Sequence, residues 1–204
     1  MNTVANALLT TKAVHIKPDP NEFFTWTSGK RSPIYCDNRT LISYPHYREL
    51  ITQSFCQLIK EKYKSVELIA GTATAGIPWA SWIASELNLP MVYIRSKPKG
   101  HGLKSAIEGQ SQEGQKTLIV EDLISTGKSS IEAFEHAKSA KLDVLAVLSI
   151  FNYGFSLAKE NFESYSLKNE SLCNLSELLE YARESSILNE KEVQTVLSWA
   201  NEYR

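Results

Sequence analysis

Between Val66 and Ile150, four short apolar runs alternate with stretches of helical periodicity, and this alternation confines the chain to an α/β architecture. The runs occupy 66–70, 91–95, 117–121 and 143–150. Helices are expected at 75–87, with Pro78 in the first turn, and at 128–141. Strands joined through helices pair in parallel, and a parallel sheet has to be covered on both faces. Each crossover is expected to be right-handed.

The flanks read differently. Residues 1–16 suggest one helix that stops near Lys17-Pro18, because the residue before proline disfavours helix. Residues 23–39 mix aromatics with Ser28-Gly29-Lys30 and Ser32-Pro33, which predicts a turn-broken extended segment. Ser43 before Tyr44-Pro45 starts a helix expected to run to about Tyr63, with Leu50, Phe55, Leu58 and Ile59 on its apolar side. Residues 96–116 are rich in Gly, Lys, Ser and Gln, and a loop of that length in a compact domain is usually functional or disordered. At the end, Asn174 and Asn189 each stand three before a glutamate, a capping-box start for two amphipathic helices.

Composition narrows the function classes. The 204 residues suit one domain. They carry 43% hydrophobic and 22% charged residues, which excludes wholesale disorder. A net charge of -1 leaves no basic excess for a broad nucleic-acid surface, so any cationic site is local. No apolar run approaches the roughly 20 residues of a membrane-spanning helix. The start lacks the basic and apolar regions of a signal peptide. Cys36, Cys56 and Cys173 form no CxxC pair, and reduced thiols in a cytoplasmic protein are the simplest account.

The chemistry concentrates at 118–130. Four residues of an apolar strand, through Glu121, lead into Asp122, then Leu123-Ile124-Ser125-Thr126-Gly127-Lys128-Ser129 and a helix. Ligands of open α/β sheets bind at the carboxyl ends of strands, and the N–H groups of a helix start are directed at an anion. Ser125, Thr126 and Ser129 add hydroxyl donors, and Gly127 lets backbone approach closely. Two carboxylates repel a phosphate but accept hydrogen bonds from a diol. The segment therefore reads as a sugar-phosphate site, with phosphate in the turn and ribose hydroxyls on Glu121 and Asp122. A Walker loop is excluded, because that pattern needs glycine where Asp122 stands.

This segment resembles the phosphoribosyl diphosphate (PRPP) signature of the type I phosphoribosyltransferases. Three further segments resemble the orotate-specific branch of that family. Residues 24–39 are similar to its amino-terminal base-binding segment. Residues 70–78, with Thr72 and Ala73, are similar to its diphosphate loop. Arg95, Lys97, Lys99 and His101, followed by Ile107-Glu108-Gly109, are similar to its mobile catalytic loop. The resemblance implies a central parallel sheet flanked by helices under a small amino-terminal hood. Hood elements are expected at about 1–40, the PRPP-binding core at about 64–153 and the closing helices at about 174–202.

The resemblance further implies a Mg²⁺-dependent transfer of ribose 5-phosphate from PRPP to orotate, on the path to UMP. Arg95, Lys99 and His101 would stabilise the departing diphosphate. Glu121 and Asp122 would hold the ribose, and Ser125 to Ser129 the 5'-phosphate. Lys30, Tyr35 and Ser125 would contact orotate. Mg²⁺ would be carried by PRPP and water, with no direct protein ligand expected. The loop would act across a homodimer, placing Lys99 and His101 in trans. Some family members carry a lysine at the position of Thr27, a second basic residue at Ser96 and an arginine within 151–154. Lys30 and Lys97 are candidates to compensate, and Arg39 is a candidate partner for orotate's carboxylate. Two alternatives are a relative acting on another base and a non-catalytic PRPP-sensing regulator.

Overall fold

The computed structural model of the chain describes residues 3–26, 29–96 and 106–202. Helix α1 (Thr3–Thr10) is short: the Thr11 hydroxyl donates to the Ala7 carbonyl at 2.7 Å, and Lys12 enters the left-handed region at φ 57°. Four short strands follow: β1 (Val14–Ile16), β2 (Phe24–Thr25), β3 (Arg31–Ser32) and β4 (Ile34–Cys36). β1 pairs antiparallel with β4, and β2 with β3. The single helix expected over 1–16 is thus a helix and a strand. Val14 and Ile16 flank the exposed His15, and that alternation of period two is the strand's signature.

Helix α2 (Pro45–Lys62) follows the Pro45 start signal, burying Ile51, Phe55 and Ile59 along one row with Thr52 and Cys56 beside it. Leu50 and Leu58 lie at the margin of that face, only partly buried.

The central sheet is built from β5 (Leu68–Thr72), β6 (Met91–Ile94), β7 (Ile107–Glu108), β8 (Lys116–Ile124), β9 (Asp143–Asn152) and β10 (Asn169–Asn174). Their order is β10-β9-β8-β5-β6-β7, parallel throughout except for β7 at the edge. β7 lies in the stretch expected to be loop and pairs antiparallel with β6, Tyr93 opposite Glu108. β8 and β9 are buried on both faces, which explains their unbroken apolar runs.

Helices α3 (Gly76–Leu87), α4 (Lys128–Ser139), α5 (Ser156–Ser164), α6 (Leu175–Glu184) and α7 (Glu190–Asn201) complete the molecule. α4 and α5 cover one face through Ile131, Ala137, Ala158 and Phe162. The other face carries α1, α2, α3, α6 and α7, with Leu8, Phe55, Trp79, Leu178 and Val196 in the core. Each such large side chain contributes about 1.5–3 kcal/mol by leaving water. Both capping boxes form, Asn174 with Glu177 and Asn189 with Glu192.

Candidate active site

The strand order reverses between β5 and β8. From β5 the chain crosses to β6 on one side, and from β8 it proceeds to β9 and β10 on the other. Carboxyl ends of strands at such a reversal open a crevice for ligands. Of the sequence-predicted site residues, Thr72, Ala73, Glu121, Asp122 and Ser125 to Ser129 lie at that reversal.

β8 continues to Ile124, so Glu121 and Asp122 lie inside the strand rather than at its end. Glu121 is buried at 5% exposure. Its Oε2 accepts from the Ser129 hydroxyl at 3.1 Å, and its Oε1 accepts from the Asp122 N–H at 3.1 Å. Burial, with the charge of Asp122 beside it, pushes the Glu121 carboxyl up to about 8. Burial raises Asp122 as well, against the opposing pull of its hydrogen bonds and of Arg39.

The turn after β8 has the geometry of an anion cradle. Gly127 takes φ 76°, and a Cβ there would stand 2.9 Å from the Phe162 ring, so only glycine fits. The first-turn N–H groups of α4 have no partner within the helix and are available to an anion. Asn161 on α5 donates to the Thr126 carbonyl at 2.9 Å and braces the turn from behind. A cavity of about 380 Å³ is lined by Ser125, Thr126, Gly127, Lys128 and Ser129. Lys128 is exposed and stands 3.9 Å from Glu132, one helical turn on.

A second cavity of about 770 Å³ adjoins the first and shares Leu123, Ser125 and Thr126 with it. The hood supplies Trp26, Lys30, Tyr35 and Cys36, and the segment after β9 supplies Tyr153 and Phe155. The Tyr153 and Phe155 rings stack at 5.1 Å with a 6° angle, a flat apolar wall. Burial and the nearby Asp122 push the Cys36 thiol up, so it is neutral.

Arg39 is placed elsewhere. Its Nε and Nη2 grip the Asp37 carboxylate at 2.6 and 2.8 Å, with the side chain 65% exposed and outside the lining of this cavity. That fork lowers Asp37 from its usual range.

On the β5 side, the Ala73 N–H donates to the Ile94 carbonyl at 2.8 Å, and the Thr72 hydroxyl donates to the Val120 carbonyl at 3.2 Å. The Ala73–Thr74 peptide is cis. Gly76 is pressed so close that an added Cβ would lie 2.2 Å from the Val120 oxygen. At the stem of the basic loop, Arg95 N–H donates to the Ala106 carbonyl at 2.8 Å, and its guanidinium pairs with Glu108 at 3.2 Å. Thr27, Ser28, Lys97, Lys99 and His101 lie outside the described residues.

Sequence reasoning missed Asn38, Asn161, Phe155 and Trp199. The Asn38 amide donates to the Asp122 carbonyl at 2.7 Å, and the Trp199 indole donates to the Arg31 carbonyl at 2.9 Å. Both contacts join segments far apart in the chain, which no local pattern reports. Among the described residues, no helix is long and apolar enough to cross a membrane.

Comparison with known proteins agrees with this geometry. Residues 44–171 match the phosphoribosyl transferase domain family. The chain is 46% identical over 198 residues to the orotate phosphoribosyltransferase of Fusobacterium nucleatum, covering 97% of this chain and 94% of that one. It is 46% identical over 200 residues to the orotate phosphoribosyltransferase of Malacoplasma penetrans, covering 98% and 96%. Among solved structures, Leishmania donovani UMP synthase superposes with a TM-score of 0.82 at 31% identity over 98% of this chain. The chain spans 42% of the length of that protein. Orotate phosphoribosyltransferase from Aeropyrum pernix superposes with a TM-score of 0.73 at 25% identity, over 87% of this chain and 98% of that one. With these likenesses and the adjoining cavities at the strand reversal, the chain belongs to the orotate phosphoribosyltransferase family of the type I phosphoribosyltransferases.

Proposed function

We propose that the protein, as one phosphoribosyltransferase unit over 1–204, transfers the ribose 5-phosphate group of PRPP to orotate, giving orotidine 5'-monophosphate and diphosphate in UMP biosynthesis. The observation that carries this is the wall of Leu123, Ser125 and Thr126 shared by a phosphate cradle and an aromatic, lysine-bearing cavity. A sugar phosphate seated in the first delivers its anomeric carbon toward the second.

The reaction passes through a positively charged, oxocarbenium-like ribose. Little covalent help is needed, so positioning and charge placement dominate. The turn Ser125–Ser129 and the α4 N–H groups hold the 5'-phosphate. Asp122 and Glu121 take the ribose hydroxyls, Glu121 exchanging its Ser129 contact for the sugar. The negative charge that the coupled pair carries lies near the cationic ring and favours it. Thr72, Ala73 and Arg95 receive the diphosphate, and Lys99 and His101 complete its neutralisation from the neighbouring subunit of a homodimer. In the base cavity, Lys30 pairs with orotate's carboxylate, while Tyr35 and Ser125 orient the ring. Arg39, held by Asp37, contributes field at the rim rather than contact.

The residues also fit a divalent cation. Mg²⁺ keeps several waters and binds through one or two carboxylates plus substrate phosphates. Asp122 and Glu121 beside the cradle are such a pair, and would hold it through water and the ribose hydroxyls. Bound there, the ion supplies positive charge to the diphosphate oxygens. Three buried free thiols suit the reducing cytoplasm.

The test is the loss of orotate absorbance on adding PRPP and Mg²⁺, with uracil, adenine and hypoxanthine in parallel and EDTA as a control. Consumption of orotate alone, abolished by EDTA, supports the assignment. Turnover of a different base retains the PRPP site and removes orotate. PRPP binding without any turnover points to a regulator.

A further inference from the structure

We propose that Asn38 is a positioning residue that keeps the base subsite and the ribose subsite in register. The inference rests on the two subsites assigned under the proposed function. Asn38 is fully buried and stands two residues after the end of β4, whose Tyr35 and Cys36 wall the base cavity. Its amide makes two contacts in different directions. Nδ2 donates to the Asp122 carbonyl at 2.7 Å, and Oδ1 accepts from the Cys36 thiol at 3.2 Å. A backbone carbonyl only accepts, so the nitrogen must face Asp122 and the oxygen must face the thiol. One side chain thus links the wall around the base to the backbone that carries the ribose carboxylate.

The reason β8 accepts this graft is local. β5 pairs with β8 only as far as Gly71 opposite Val120. Carbonyls two residues apart in a strand share one edge, so those of Val120 and Asp122 face the same side, Val120 at the last paired position and Asp122 beyond it. The Thr72 hydroxyl takes the first and the Asn38 amide takes the second. The diphosphate loop and the hood are therefore stitched to adjacent positions on the same edge of β8. A hood shifted against β8 changes the separation of the base nitrogen from the anomeric carbon. A misplacement of about 1 Å costs roughly a hundredfold in rate.

The experiment measures kcat, both KM values and the thermal midpoint for Asn38→Asp and Asn38→Ser against the unmodified protein. Asn38→Asp keeps the shape and removes the donor facing Asp122; Asn38→Ser is uncharged and too short to reach. The expected result is a kcat lowered roughly ten- to hundredfold per folded enzyme, with both KM values within about threefold, since ground-state contacts remain. A kcat within about twofold of the unmodified protein, or a loss carried by KM alone, overturns the proposal. Failure of both variants to fold assigns Asn38 to stability and overturns it too. An unmodified protein that does not consume orotate is a separate failure, of the functional assignment.

Discussion

The indole of Trp199, on the last helix, donates to the backbone carbonyl of Arg31 at 2.9 Å, joining residues 168 positions apart. The same ring meets Trp26 edge-on at 5.6 Å and Phe155 at 5.8 Å, and both of those line the base cavity. α7 thereby clasps the hairpin that carries Lys30. Trp199→Phe keeps a ring in place and removes the donor. One such bond contributes about 1 kcal/mol, so the orotate KM is expected to rise about fivefold while the PRPP KM stays unchanged. Steady-state kinetics with each substrate varied in turn reads this directly; equal effects on both would remove the clasp from base binding.

Lys30 is a cationic side chain lining the cavity, whereas Arg39 is gripped by Asp37. A charged hydrogen bond contributes about 1.5–3 kcal/mol. Lys30→Ala is therefore expected to raise the orotate KM by roughly ten- to hundredfold, and Lys30→Arg to recover part of it. Arg39→Ala is expected to raise it less than Lys30→Ala does. The reverse ranking would return the carboxylate to Arg39.

Gly76 leaves no room for a methyl group: a Cβ would stand 2.2 Å from the Val120 oxygen and 2.5 Å from the Thr72 hydroxyl. Gly76→Ala has to push α3 away from β8 at the crevice. Overpacking of this kind costs about 1–3 kcal/mol, or roughly 2–12 °C in melting temperature for a chain of this length. Calorimetry checks it, and an unchanged midpoint would mean the backbone yields without strain.

Glu121 has its carboxyl raised to about 8 by burial and by Asp122, against an ordinary value of 4.5. A group raised in the folded state binds a proton there that the unfolded chain has released. Its contribution is complete below the unfolded value, declines as pH rises from there toward 8, and is gone above. Melting temperature is therefore expected to fall across that window, and Glu121→Gln to flatten the fall. A Glu121→Gln profile parallel to that of the unmodified protein would place the titration on other groups.

Much of the site was legible because it is local. The run from Leu118 to Ser129 is contiguous, and its strand, carboxylates, turn and helix follow from alternation, charge and glycine. β10 was not legible: it is an edge strand in which only Cys173 is buried, so Asn169–Asn174 reads as polar loop. α5 was missed although Phe155, Ala158 and Phe162 are buried at helical spacing, because Lys, Glu and Asn fill the positions between. Arg39 is a candidate on residue type alone, and its pairing with Asp37 two positions earlier is a contact that residue type does not report. Asn38 and Trp199 act through contacts spanning 84 and 168 positions, which periodicity does not encode.

The pairing of β6 with β7 brings the two ends of the basic loop together, Arg95 against Ala106. The described ends on either side of 97–105 are therefore held together at one edge of the sheet, two strands from β8. Each pair of residues deleted between those anchors shortens the chain that joins them by about 7 Å of contour. On the roles proposed for Lys99 and His101, turnover is expected to collapse at one deletion length, and kinetics across the series reads that length.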